Sequence, residues 1–375
     1  MLKLRLIQAE FGDSMILNFG SQEKPKYILI DGGPETTYKR HLKEELQVIK
    51  AAGGNGLDLV ILSHVDNDHI IGLLDMLSDL QEQRSNSVQG ILSIAGLWHN
   101  SFSDTIEDNA GSIQSRLRML LANAGSAGGQ VMSAAEMALS GIGEGRQLRL
   151  SASALSIPIN PNFPQDLISV DDAPNPISID NLSLRIVGPT RDNLENLRRE
   201  WIAWLDKHED ILSEEEPFIA AMADRSIPNL SSIMILAEAD GGKKILFTGD
   251  GRGDHLLEGL QKAGLLADNN DRLHVDVLKV PHHGSDRNVN KTFFKKITAD
   301  KYVISANGKD GNPDLSTLIW IVESAREQQR PIEIIVTNET RTIGQLVNNY
   351  NPIDYRYTLT VMPKSAHSMI IDISS

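Results

Sequence analysis

Four potential metal ligands fall within six residues of this chain: His64, Asp66, Asp68 and His69, in Ser63-His64-Val65-Asp66-Asn67-Asp68-His69. Imidazole nitrogens and carboxylate oxygens at this density suit zinc, manganese or iron. A plainer reading is a polar turn with an Asp N-cap on the next helix, but two His and two Asp at this spacing favour a metal. Three more segments end in the same kinds of group. Tyr27-Ile28-Leu29-Ile30 runs into Asp31, Lys243-Lys244-Ile245-Leu246-Phe247-Thr248-Gly249 into Asp250, and Val275-Asp276-Val277-Leu278-Lys279-Val280-Pro281 into His282 and His283. Each alone is weak, because an Asp after a strand is usually a turn residue. Four such ends together point to one convergent site.

The elements that must position these groups are short apolar, β-branched runs. Continuous Val/Ile/Leu character over about five residues reads as a buried strand, and a strand end is where a rigid scaffold presents a functional loop. Leu2–Ala9 and Met15–Phe19 read as a hairpin that turns at Glu10–Ser14. Leu42, Leu46 and Ile49, with charges between them, predict an amphipathic helix over 36–52, ended by Gly53-Gly54-Asn55-Gly56. An apolar helical pattern follows His69.

The gap from His69 to Asp250 is long. Helical patterns occur at 101–150 (Ile113, Leu117, Leu120, Leu121, then Met132–Leu139) and at 190–223 (Leu194, Leu197, Trp201, Trp204, Leu205). A Pro/Asn/Asp-rich loop at 158–181 and a strand at Leu182–Val187 separate them. Beyond Ser285 the pattern predicts a helix at Asn290–Ile297 and a strand at Tyr302–Ala306. A helix at Leu315–Arg326, a strand at Ile332–Thr337 and two late strands, Tyr357–Met362 and Met369–Ile373, complete it.

Composition sets bounds. The chain has 375 residues, 41% of them hydrophobic, a formal charge of −14 and no cysteine. Disulfides and thiolate ligands are excluded, and a cytoplasmic location is expected. No apolar run is long enough to span a bilayer, so no membrane partner is expected. The acidic charge argues against a broad duplex-binding surface. It leaves room for a nuclease that holds one phosphate with metals and a few local cations.

The motifs together carry a resemblance. His64-Val65-Asp66-Asn67-Asp68-His69, with Phe11-Gly12-Asp13-Ser14, Leu29-Ile30-Asp31-Gly32-Gly33, Phe247-Thr248-Gly249-Asp250 and Pro281-His282-His283-Gly284-Ser285, resembles the metallo-β-lactamase-fold hydrolases. It is similar in particular to the ComEC-like subgroup, the hydrolase domain of a competence DNA-uptake protein and its free-standing relatives. Asp66 stands where the wider family has its second His, and no His occurs before Asp250, where the family has its central one.

The resemblance implies an α/β fold: a four-layer αββα sandwich, one domain over 1–375, with a largely helical insertion at about 100–225 between the metal-binding motifs. Strands at 340–375 have no assigned role. It implies two divalent metal ions, Zn or Mn. His64 and Asp66 would hold the first, Asp68, His69 and one of the His pair the second, and Asp250 would bridge. His282 is the preferred ligand of the pair, because it follows its strand most directly. Catalytic roles fall to Asp68, His283 and Asp31, the last orienting a ligand or water from behind. Asn229, Ser232 and His99 are further candidates for the missing donor.

The activity implied is metal-dependent hydrolysis by a metal-activated hydroxide, with a phosphodiesterase or nuclease as the first reading. Nucleic acid or a small phosphoester would be the substrate. The alternatives are a small-molecule phosphoester or lactone hydrolase, and a non-catalytic metal-binding subunit of a bacterial defence or toxin system. A protein partner and the oligomeric state stay open.

Overall fold

The computed structural model describes residues 1–54, 56–88, 92–101, 115, 143–163, 167–196, 198–199, 231–267 and 271–374. Most of the expected helical patterns at 101–150 and 190–223, with Trp201, Trp204 and Asn229, lie outside these residues.

Two sheets carry the architecture. In the first, the order is β16 (Ser368–Asp372), β1 (Lys3–Ile7), β2 (Ser14–Gly20), β3 (Pro25–Gly32), β5 (Leu59–Ile61) and β7 (Leu97–Trp98). The pairs from β16 to β3 are antiparallel, and β3, β5 and β7 run parallel. A small pair, β4 (Gly56–Leu57) with β6 (Ser93–Ile94), sits beside it. The second sheet runs β15 (Tyr357–Val361), β14 (Ile332–Val336), β13 (Ile297–Ile304), β12 (Leu273–Lys279), β11 (Lys244–Phe247), β10 (Met234–Ala239), β9 (Leu182–Gly188) and β8 (Ile177–Ile179). The strands from β11 to β15 are parallel. The chain ends meet, since β16 pairs with β1 from Lys3↔Asp372 to Ile7↔Ser368.

Alternation along the strands builds the layers. Leu4, Leu6, Leu17, Ile28, Ile30, Leu59 and Ile61 of the first sheet pack with Leu184, Ile186, Ile235, Ile245, Val277, Val303 and Ile335 of the second. The alternate residues face outward onto helices. Ile16, Leu29, Val60 and Leu62 meet α1 (Lys43–Ala51) and α2 (Asn67–Ser85) through Leu46, Ile49, Ile70, Leu73 and Leu77. Leu236, Leu246, Leu278 and Ile304 meet α3 (Gly253–Lys262), α4 (Lys291–Lys296) and α5 (Leu315–Glu327) through Leu256, Leu260, Phe293, Leu318 and Ile321. The result is helix, sheet, sheet, helix: a four-layer sandwich.

Some expectations shift at their edges. The helix expected over 36–52 is a π-turn at Tyr38–Leu42 followed by α1. The strand expected from Tyr302 starts at Ile297, because β13 has a parallel partner from Leu273↔Ile297 onward. The late strands close one edge of each sheet as β15 and β16, and a helix over Arg341–Asn349 that the pattern did not suggest precedes them.

Packing of α2 on β3 is close enough to require glycine. A Cβ on Gly72 would lie 1.8 Å from the Gly32 carbonyl oxygen, and one on Gly32 would lie 2.3 Å from the Leu73 nitrogen. That approach fixes the start of α2, and with it the loop from His64 to His69, against the end of β3.

Candidate metal centre

The groups singled out in the sequence come from both sheets and meet at one end of the sandwich. His64 follows β5, and Asp66 caps α2 by accepting from the Asn67 amide at 2.7 Å. Asp68 and His69 sit in the first turn of α2. Asp31 ends β3 in a left-handed conformation, φ 57°. Asp250 follows Gly249, whose φ is 49° and whose added Cβ would come within 2.9 Å of the Ser63 Cβ. After β12, His282 and His283 both take positive φ, 46° and 52°. Consecutive non-glycine residues there store strain of about 1–2 kcal/mol each. The double turn sends His283 inward and leaves His282 26% exposed.

The inner donor atoms lie close together. His283 Nε2 is 3.2 Å from Asp68 Oδ2 and 3.3 Å from Asp250 Oδ2. His69 Nε2 is 3.4 Å from Asp250 Oδ1 and 3.7 Å from Asp68 Oδ1. A tetrahedral cation with bonds of about 2.0–2.1 Å has ligand–ligand edges of ~3.4 Å. His282 Nε2 lies 3.6 Å from Asp250 Oδ2, so both oxygens of Asp250 are shared among three imidazoles. Asp13, His69, Asp250 and His283 each offer a donor atom within 4.8 Å of the others, and all four are buried.

Every imidazole of the group is fixed from behind. His69 Nδ1 is 2.9 Å from Asp31 Oδ2, His283 Nδ1 is 2.8 Å from the Ser305 carbonyl and His282 Nδ1 is 2.8 Å from Asn288 Oδ1. His64 Nδ1 is 3.1 Å from Ser63 Oγ, whose hydroxyl donates to Asp31 at 2.8 Å. With an acceptor facing Nδ1 in each case, the neutral ring would carry its proton there and turn its Nε2 lone pair toward the centre, which is how metal-ligating histidines are oriented. The buried Nε2 atoms of His64, His69 and His283 and Oδ1 of Asp250 have no hydrogen-bond partner. Orphaned donors of this kind, converging with carboxylates, fit a divalent cation.

Charge inside the cluster is strongly coupled. Burial disfavours the imidazolium of His283, yet Asp250, Asp13 and Asp68 outweigh it and push its pKa up to about 10. His69 is raised in the same way, against its burial, by Asp250, Asp68 and Asp31. His64 goes the other way: burial and the neighbouring His69 hold it down at about 3. Burial raises Asp66 to about 7, with help from Asp68. For Asp250 burial is overcome by His283, His69 and His282, which hold its carboxyl well below the usual range.

The remaining candidates separate clearly. Ser232 is buried beside the centre: its Cβ would lie 3.3 Å from a Cβ on Gly249, and its Oγ has no partner. His99 is fully buried, but neither ring nitrogen is hydrogen-bonded. Burial and then Arg149 hold its pKa near 3, and no carboxylate of the cluster acts on it. His99 therefore lacks the backing bond that the other four imidazoles share. The sequence preference for His282 beside Asp68 and His69 differs from the geometry, in which His283 Nε2 is the atom next to Asp68. Two buried groups had no role in the sequence reading: Asp13, and Lys279, which ion-pairs with it. A lysine two residues after Val277, on the inward face of β12, was the available signal.

A cleft of about 510 Å³ opens over the centre. Asp66, Asp68, Asp250, His282 and His283 form its floor, and Phe11, Arg287, Asn307, Lys309 and Asp310 line its walls. Lys309 Nζ stands 3.4 Å above the Phe11 ring.

Comparison with known families adds one finding. Residues 22–83 match the sequence model of the Metallo-beta-lactamase superfamily, whose members are generally hydrolytic metalloenzymes. The matched stretch runs from β3 into α2 and carries Asp31, His64, Asp66, Asp68 and His69; Asp250, His282 and His283 lie beyond it. The four-layer sandwich is consistent with that superfamily's fold. Comparison with curated proteins gave no match. Family match and donor cluster together indicate a metal-dependent hydrolase. Among the described residues, no helix is long and apolar enough to cross a membrane.

Proposed function

We propose that the chain is a metal-dependent phosphodiesterase that cuts single-stranded nucleic acid. The observation that carries this is the set of three imidazoles, His69, His282 and His283, each held at Nδ1 and facing one shared carboxylate, Asp250, with Nε2. Asp68, His69 and His283 would hold one divalent ion, His64, Asp66 and His282 a second, with Asp250 between them. Such a pair, when bound, supplies a water nucleophile at neutral pH and neutralises charge on a phosphoryl group. Mixed imidazole and carboxylate donors suit Mn²⁺ and Zn²⁺.

The protein's own groups do the rest. Asp31 and the Ser305 carbonyl keep His69 and His283 in the tautomer that presents Nε2. His64, His69, Asp250 and His283 are buried, and the cleft opens beside them. Arg287 and Lys309 place positive charge on the walls, where the phosphates flanking a scissile bond would lie. Phe11 lines the same cleft, with the Lys309 ammonium held over its ring.

A second reading, hydrolysis of a small phosphoester, draws on the same cleft. Its volume suits a small ligand, and Asp286, Asp310 and Asp314 also line it, which disfavours a long polyanion. The test is a substrate panel on Mn²⁺- or Zn²⁺-loaded protein: single-stranded DNA, duplex DNA, RNA and bis-(p-nitrophenyl) phosphate. Cutting of single strands that Asp250→Asn abolishes supports the proposal. Turnover of the small ester alone moves the assignment to the second reading.

A further inference from the structure

Lys279 is 0% exposed, and among the described residues no other lysine or arginine is buried. Its Nζ touches three groups. It ion-pairs with Asp13, donates to the Gly249 carbonyl at 3.1 Å and lies 3.7 Å from Asp250 Oδ1. Its own carbonyl accepts from the Thr248 hydroxyl at 2.7 Å, so backbone and side chain of one residue grip both sides of the Thr248–Asp250 turn. Asp13 is wedged in place in turn. Its amide donates to the Asp68 carbonyl at 3.2 Å, and the other carboxylate oxygen lies 3.6 Å from His283 Nδ1.

Burying an ammonium costs several kcal/mol unless partners repay it. An apolar residue would end β12 at no such cost, as Val277 does on the same face two residues earlier. The charge therefore has a use at this place. Five carboxylates converge here: Asp13, Asp31, Asp66, Asp68 and Asp250. Lys279 offsets one of them permanently, and two divalent ions would offset the other four.

We propose that Lys279 is a positioning residue for the metal centre. It is a built-in cation, anchored on Asp13, that fixes the left-handed turn at Gly249 and aims Asp250 between the imidazoles. The inference rests on the metal-centre reading and is independent of which ester is cut.

The test is divalent-ion binding followed by calorimetry with Mn²⁺ on the full chain. Lys279→Met alone would leave Asp13 unpaired, so the informative variant is Asp13→Asn with Lys279→Met, which removes both charges of the pair together. If Lys279 positions Asp250, this folded double variant binds Mn²⁺ about 10- to 100-fold more weakly than wild type, the range for lost supports of metal ligands. Wild-type affinity in the double variant would reduce Lys279 to a partner of Asp13 and overturn the proposal. Failure of wild type itself to bind the ion would overturn the metal-centre reading instead.

A second measurement needs no variant. Reductive methylation of chelator-treated wild type, read by mass spectrometry, should leave Lys279 unmodified while Lys364, with its side chain 91% exposed, is modified fully. Modification of Lys279 at the rate of Lys364 would show that it is not locked in place before metal arrives, and would overturn the proposal.

Discussion

Asp31 Oδ2 lies 2.9 Å from Nδ1 of His69, while Nε2 of the same ring lies 3.4 Å from Asp250 Oδ1. One carboxylate thus sets the tautomer of the ring that faces another. Asp31 also accepts from the Ser63 amide at 2.7 Å, which ties the end of β3 to the loop carrying His64. Asp31→Asn should weaken divalent-ion binding about 10- to 100-fold with the fold retained, measured by calorimetry and circular dichroism. Unchanged affinity would remove Asp31 from the account.

The two adjacent histidines should differ. His283 is buried with Nε2 between Asp68 and Asp250, whereas His282 is partly exposed at the cleft and 3.6 Å from Asp250. His283→Ala should remove the tighter of two bound ions, and His282→Ala should weaken only the other. Elemental analysis of dialysed protein distinguishes them, and equal losses in both variants would contradict the arrangement.

Protons and metal compete for the same atoms. The folded pKa of His283 is about 10, above its ordinary value of 6.5, so its stabilising charge is fully present below pH 6.5 and is lost as pH rises toward 10. His69 is shifted in the same direction. Metal-free protein should therefore melt at a lower temperature at pH 9.5 than at pH 6.5, while its affinity for Mn²⁺ rises over the same interval. Calorimetric scans at the two pH values check the first effect and titrations the second. A melting temperature that rises with pH in the metal-free protein would contradict the charge assignment.

The glycine contact between α2 and β3 predicts a structural effect. Gly72→Ala places a methyl group 1.8 Å from the Gly32 carbonyl oxygen and must push α2 off the sheet. A loss of ~2–3 kcal/mol is expected by urea denaturation, with weaker metal binding, because Asp68 and His69 travel with the helix. A neutral outcome would show that α2 can shift without cost.

The loop from His64 to His69 was legible because its chemistry is local: four donors in one turn after an apolar run. The donors at Asp31, Asp250 and the His pair were legible because each interrupts a strand pattern at its end. The choice between His282 and His283 was not, because it depends on two left-handed residues whose geometry no spacing encodes. Asp13 and Lys279 were missed for a different reason. Their pairing joins residues 266 positions apart across the two sheets; alone, Asp13 reads as part of the turn at Glu10–Ser14 and Lys279 as one residue of a strand run. Layer order was implied by the family resemblance, whereas the pairing of β16 with β1 required the folded chain.

The central claim is that Asp250 joins two metal-binding half-sites into one hydrolytic centre. The most direct test is to strip the protein with chelator, reload it with Mn²⁺, and measure bound ions per chain together with hydrolysis of bis-(p-nitrophenyl) phosphate, for wild type and Asp250→Ala. Two ions and turnover are expected in wild type, with at most one ion and no turnover in the variant. Full turnover or two bound ions in Asp250→Ala would contradict it.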